Sequence, residues 1–229
     1  MEIREPERLT PVVSEADVIV VGSGPGGLSA AIAAARAGVS VILIERFGCF
    51  GGNITSVGVE GFAWYRHEKT VEAGGLAFEY EQRAIESNAA VPESQSRSYE
   101  LDSEGFKVVA DDLVLEAGVR PMLHRAFCAP ILEGDEIKGV ITESKAGREA
   151  IIGKIIIDAT GDADVARRSG VTVFKNKKED MISASVMFHM SGVNKEEFMN
   201  EIERDPQKYS DWSDKNWQVQ TCLLYTSDA

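Results

Sequence analysis

The stretch Val18 to Leu28 constrains the fold of this chain more than any other. A run of β-branched residues (Val18-Ile19-Val20-Val21) stops at the glycine cluster Gly22-Ser23-Gly24-Pro25-Gly26-Gly27, which opens into an alanine-rich stretch, Leu28 to Ala37. Gly38 and a second apolar run, Val39 to Ile44, follow. A continuous apolar run predicts a parallel strand covered on both faces. Gly38 stands where a helix C-terminus wants a residue at positive φ. Residues Ala16 to Arg46 are therefore expected to form a strand, turn, helix and strand.

The cluster matches G-x-G-x-x-G in the context that gives the pattern meaning, after a strand and at the start of a helix. Gly22 permits the tight turn, Gly24 lets the backbone approach a pyrophosphate, and Gly27 lets helix and strand pack closely. The helix N-terminus then offers N–H groups and the positive end of a dipole to the negative charge. Glu45 ends the second strand near the offset of about 20 residues expected for an acid that binds a ribose hydroxyl pair, which favours a free 2′-hydroxyl over a 2′-phosphate. NAD and FAD both fit this much. The next stretch, Glu45 to Thr55 (ERFGCFGGNIT), is a glycine-rich loop where a nicotinamide dehydrogenase normally runs into another helix, and such a loop suits the close backbone approach of a flavin. An NAD(P)-binding dehydrogenase or reductase stays open as an alternative, as does a non-catalytic dinucleotide-binding module.

Further along, the pattern predicts a helix from Gly75 to Glu86, a polar loop from Pro92 to Ser98, and a helix begun by Asp102 or Ser103 and ended by Gly118. Strand-like runs cover Met122 to Ala126, Cys128 to Leu132 and Ile137 to Glu143, with a turn at Gly134-Asp135. Lys154 to Asp158 reads as another strand that leads into ATGDADVARRSG, repeating the strand, turn, helix order. Met181 to Ser191 alternates, with Ile182, Ala184, Val186, Phe188 and Met190 on one face, and predicts a strand with one wet face. Residues 195–221 carry no motif.

Charge narrows the partners. Lys plus Arg is 24 and Asp plus Glu is 37, a net −13, so phosphate backbones and anionic headgroups are repelled and neither nucleic acid nor membrane is an expected partner. No apolar stretch approaches the roughly 20 residues of a membrane-spanning helix. The amino terminus mixes charges without an apolar centre, and a cytoplasmic location is expected. Cys49, Cys128 and Cys222 are too few and scattered for a disulfide framework or a metal site. The last residues, Cys222 to Ala229 (CLLYTSDA), look like a translated sequencing adapter, so residues 222–229 are read as a non-native tail on an amino-terminal portion of a longer protein.

Three motifs, VIVVGSGPGGLSAAIAAARAG, ERFGCFGGNIT and IIDATGDADVARRSGV, together resemble the FAD-dependent oxidoreductase family, allied to the glutathione-reductase and succinate-dehydrogenase type flavoproteins. The resemblance spans roughly residues 10 to 195. It implies an α/β, Rossmann-like doubly wound FAD-binding domain with a β-meander, plus an inserted, incomplete α+β substrate domain. On that pattern residues 1–15 are a lead-in, 16–56 and 100–170 the FAD-binding domain, and 57–99 and 171–221 the substrate side. The resemblance implies that Gly22, Gly24, Pro25, Gly26 and Gly27 hold the FAD pyrophosphate and that Glu45, with Arg46 beside it, holds the adenosine ribose. Gly51, Gly52 and Thr55 run past the ribityl chain, the backbone near Cys128 touches adenine, and Thr160, Gly161 and Asp162 form the second FAD contact. The loop after the second strand lacks the histidine that links flavin covalently in some relatives, so dissociable FAD is expected. The implied activity is hydride transfer between a small organic substrate and the flavin, with an unknown electron donor or acceptor.

Reacting groups are less defined. His189 falls on the polar face of the alternating run and reads as a surface histidine, with proton transfer or anion binding as the alternative. Arg66-His67 can clamp a carboxylate or belong to a solvated loop. His124 reads as structural, and Cys49 as a small packed loop residue rather than a redox thiol. Asp162 is suited to bonding a ribityl hydroxyl and to capping the following helix, two compatible roles. No catalytic residue is assigned.

Overall fold

The computed structural model describes residues 3, 6–62, 66–67, 71–72, 74–92, 99–181, 184, 186, 188 and 190–204. The chain divides into two units, residues 1–184 and 185–229.

The first unit starts with β1 (Val12–Val21), α1 (Pro25–Arg36) and β2 (Val41–Ile44), the order the sequence predicts. Val18 to Val21 and all of β2 are buried. Side chains of β1 alternate between two cores: Val18 and Val20 face Leu28, Ile32, Phe106 and Leu113, while Ile19 and Val21 face Ile42, Val140, Ile151 and Val165. That double coverage is why the strand reads as an unbroken apolar run. Gly38, at φ +90°, takes the chain out of α1.

Next come a short antiparallel pair, β3 (Arg66–His67) with β4 (Val71–Glu72), the helix α2 (Leu76–Glu86), and a second short pair, β5 (Ala90–Pro92) with β6 (Tyr99–Leu101). Then α3 (Ser103–Glu116) begins at Asp102, whose carboxylate accepts from the Glu104 N–H at 2.9 Å, and ends before Gly118 at φ +76°. Tyr80 and Ala84 of α2 share the core of Leu28 and Phe106, with the Tyr80 and Phe62 rings edge-on to Phe106 at 6.1 and 5.9 Å. The helix in the segment expected on the substrate side thus packs onto the dinucleotide fold.

The chain continues through β7 (Arg120–Met122), β8 (Ala126–Glu133), β9 (Glu136–Ser144), β10 (Gly147–Asp158) and α4 (Asp164–Arg168). The six-stranded sheet has the order β7-β2-β1-β10-β9-β8. Neighbours from β7 to β10 are parallel, and β10, β9 and β8 form an antiparallel meander. Strand β10 serves both: Gly147 to Ile152 pairs with β9, and Ala150 to Asp158 pairs with β1.

Three expectations need correction. Met122 to Ala126 is not a strand, because the chain turns from β7 into the meander through His124 at φ +55°, a left-handed conformation that histidine tolerates better than most residues. Strand β10 starts at Gly147, seven residues before the apolar run at Lys154, since its first half is held by backbone pairing and needs no continuous apolar sequence. In the run Met181 to Ser191, the described residues Met181, Ala184, Val186, Phe188 and Met190 are exposed and lie in no strand. Ile182, Ser183, Ser185, Met187 and His189 of that run lie outside the described residues. In the second unit, Lys195–Arg204 forms α5.

Candidate functional site

The site is built where β1, β2 and β10 end. Gly22 sits at φ +97°, and a Cβ there would lie 2.4 Å from the Ala159 carbonyl oxygen. A Cβ on Gly27 would lie 1.9 Å from the Gly22 carbonyl oxygen. Packing alone demands both glycines. Gly24 and Gly26 differ, for no described atom lies within 4 Å of a Cβ at either. Gly24 is the N-cap of α1, and no side chain caps that end to take up the first-turn N–H groups. Such a cradle fits an anion set against the backbone.

Glu45 is buried although it is an acid. Its Oε2 accepts from the Ser23 N–H at 2.9 Å and the Ser23 hydroxyl at 2.6 Å, and its Oε1 accepts from the Phe47 N–H at 2.9 Å. Ser23 itself is fully buried, and its carbonyl accepts from the Gly51 N–H at 2.9 Å. The glycine-rich loop is therefore tied to the first glycine turn. It also abuts that turn: a Cβ on Gly52 would lie 2.7 Å from the Gly24 Cα. Thr55 folds the loop on itself by donating to the Phe50 carbonyl and filling the space beside Gly51 at φ +110°.

At the end of β10, the Asp158 carboxylate accepts from the Thr160 N–H (3.1 Å), the Thr160 hydroxyl (2.7 Å) and the Ala166 N–H (2.9 Å). The Thr160 hydroxyl accepts from the Asp164 N–H at 2.9 Å. These bonds cap α4. Asp162 does not, and its exposed carboxylate bonds no described residue. The reading in which Asp162 caps the helix is therefore corrected: Ala163 at φ +56° carries the chain past it.

Gly22, Gly24, Glu45, Gly51, Gly52 and Thr160 thus gather around Ser23 and the start of α1. Cys128 lies farther along, at a bulge of β8 between the pairs Phe127–Thr142 and Ala129–Ile141. Its carbonyl accepts from the guanidinium of Arg168 on α4. Arg46 is exposed, its guanidinium 4.7 Å from the centre of the Phe47 ring. Cys49 is half-buried, its sulfur 3.5 Å from the Ser56 hydroxyl. Arg66 and His67 form β3, and nothing of their side chains is described; His189 and Cys222 lie outside the described residues. Sequence reasoning missed Ser23 and Asp158. Ser23 occupies a variable slot of the glycine motif, and its only signal is a hydroxyl beside an acid 22 residues on. Asp158 carried a clearer signal, an acid at the end of a parallel strand as Glu45 is.

A cavity of about 440 Å³ opens beside the cradle, lined by Pro25, Gly26, Asn53, Ile54, Phe62 and Tyr80 among others. It is mostly apolar. Burial pushes the Tyr80 phenol up to about 12, against the opposing hydrogen bond with the Ser29 hydroxyl at 3.0 Å. Tyr80 therefore lines the cavity as a neutral phenol at neutral pH.

A parallel sheet, a glycine turn opening a helix and an acid ending the second strand define a dinucleotide-binding α/β protein. The family model of FAD dependent oxidoreductases matches residues 17–225, and the chain belongs to that family. Of the two dinucleotides that suit the glycine motif, FAD is the family's cofactor. Among curated relatives, thiamine thiazole synthase of Saccharolobus islandicus is 30% identical over 163 residues, 66% of this chain and 57% of the relative. Dihydrolipoyl dehydrogenase of Chlorobaculum tepidum is 31% identical over 124 residues, 49% of this chain and 26% of the relative. The match thus spans little more than half the length of the thiazole synthase. Among solved structures, a geranylgeranyl bacteriochlorophyll reductase-like protein from Thermoplasma acidophilum matches with a TM-score of 0.53 at 22% identity, covering 69% of this chain and 42% of that one. THI4 from Thermovibrio ammonificans matches with a TM-score of 0.51 at 20% identity, covering 69% and 64%. Both share the fold. Among the described residues no helix is long and apolar enough to cross a membrane.

Proposed function

We propose that this chain holds dissociable FAD across the ends of β1, β2 and β10, and that the protein transfers hydride between a small organic substrate and that cofactor. The observation that carries the reading is the contrast within one motif: Gly22 and Gly27 are glycine because protein atoms crowd them, whereas Gly24 and Gly26 face open space at an uncapped helix end. The first-turn N–H groups of α1 bind the pyrophosphate, and Glu45 accepts from the adenosine ribose. The backbone of the loop at Gly51, Gly52 and Thr55, held against the first glycine turn, runs past the ribityl chain. The meander backbone near Cys128 meets adenine, Arg46 adds positive charge beside the ribose acid, and Thr160, Gly161 and Asp162 supply the second contact, with the unbonded carboxylate of Asp162 accepting a hydroxyl. When bound, FAD supplies the two-electron redox chemistry, while the protein contributes binding, orientation and exclusion of water. The apolar wall of Ile54, Phe62 and Tyr80 serves that exclusion.

Titration of the full chain with FAD, followed by flavin fluorescence with NAD as competitor, tests the reading. Saturable binding that NAD does not displace is expected. Displacement by equimolar NAD, or no binding of FAD, refutes it.

A further inference from the structure

We infer that Ser23 limits the grip of Glu45 on an adenosine ribose to a single hydroxyl, so that this chain reads one member of the 2′,3′-diol and is indifferent to the other. The inference rests on the reading that Glu45 faces the ribose. An ionised carboxylate offers about four acceptor sites, two on each oxygen. On Glu45, Oε2 already takes two donors, the Ser23 N–H at 2.9 Å and the Ser23 hydroxyl at 2.6 Å. Oε1 takes one, the Phe47 N–H at 2.9 Å. One acceptor site remains, on Oε1, whereas a ribose diol brings two O–H donors.

Ser23 is poorly placed to yield. It is fully buried, Gly22 ahead of it is tied by its N–H to the Ile44 carbonyl at 2.8 Å, and its own carbonyl holds the Gly51 N–H. The hydroxyl would have to leave a short, buried, charge-assisted bond. Ser23 is thus a positioning residue: it sets how the acid is presented without touching the ligand.

The test is calorimetric titration of the full chain with ADP, 2′-deoxy-ADP and 3′-deoxy-ADP. In the wild-type chain one deoxy analogue is expected to bind roughly tenfold or more weakly than ADP and the other within about twofold of it. In Ser23→Ala the second Oε2 site is released, and both analogues are expected to bind weaker than ADP by roughly tenfold. A purely structural role for Ser23 would weaken all three ligands by a common factor and leave the selectivity pattern unchanged, which would overturn the inference. Equal losses for the two analogues in the wild type overturn it without recourse to any variant, so misfolding of Ser23→Ala cannot shelter it. Glu45→Ala separates the two levels. Unchanged ADP affinity in Glu45→Ala refutes the ribose reading itself; weakened ADP affinity together with equal losses for the two analogues in the wild type refutes the role of Ser23 alone.

Discussion

Adding one methyl group at two positions of the glycine turn is expected to separate cofactor binding from folding. At Gly27 the new Cβ would lie 1.9 Å from the Gly22 carbonyl oxygen, where real Cβ contacts stay beyond 3.0 Å. The struck atom is backbone and cannot rotate away, so α1 and the glycine turn must separate by about 1 Å, and α1 carries the fully buried Leu28, Ala31 and Ile32. Overpacking of this kind costs about 1–3 kcal/mol, and the better helix propensity of alanine offsets at most about 1 kcal/mol. Gly27→Ala should therefore lose about 2 kcal/mol of stability, a fall in Tm of about 4–8 °C for a chain of this size. At Gly24 the same methyl meets nothing within 4 Å, and the backbone at φ −59° and ψ 176° suits any residue. Only the loss of a glycine N-cap counts there, so the apo chain should lose less than about 1 kcal/mol. The FAD affinity of Gly24→Ala should nevertheless fall by roughly a hundredfold, because the methyl occupies the approach of the pyrophosphate. Thermal unfolding of the apo chains with FAD titration of each reads both effects. Unchanged FAD affinity in Gly24→Ala refutes the placement of the pyrophosphate, and an unaltered Tm in Gly27→Ala refutes the packing argument.

Other perturbations follow the same geometry. Glu45→Ala should weaken FAD by about 1.5–3 kcal/mol, roughly tenfold to a hundredfold in Kd, as read by flavin fluorescence. Because the phenol of Tyr80 is raised from 10.0 to about 12, the folded chain retains a proton that the unfolded chain loses; stability should be constant below pH 10, decline between pH 10 and 12, and decline less in Tyr80→Phe, as measured by denaturation at graded pH. Arg36 pairs with Glu79 through two bonds of 2.6 and 2.7 Å and lowers the Glu79 carboxyl, yet the pair is partly solvated, so Arg36→Ala should cost under about 1 kcal/mol in urea unfolding and less at high salt. Asp158→Ala should lower the melting temperature by releasing Thr160 and the α4 N-terminus, while Asp162→Ala should leave it unchanged.

Much of the first half of the fold was legible because its causes are local. The Val18 to Val21 run, the glycine turn, α1 and β2 follow from steric freedom at glycine, apolar continuity and capping, all within short reach along the chain. Asp102 and Gly118 likewise marked the ends of α3. The first half of β10 and the start of β1 at Val12 were not legible, because backbone pairing holds them and pairing leaves no compositional trace. His124 was hidden for a similar reason: its left-handed turn is set by bonds from the His124 and Arg125 N–H groups to the Phe47 and Glu45 carbonyls, distant in sequence.

The amino-acid order alone determined that this chain makes a βαβ unit with a glycine turn at the start of its helix, an acid after the second strand and a glycine-rich, flavin-suited loop beyond it. Those properties belong to single residues and their immediate neighbours. Which glycines are crowded and which stand open, that Ser23 takes up half of the acceptor sites of Glu45, and that Asp158 rather than Asp162 caps α4 were decided only by tertiary structure. The first two depend on where strands 20 to 140 residues apart come to rest side by side, and no local preference encodes that distance; the third depends on how the chain turns from β10 into α4.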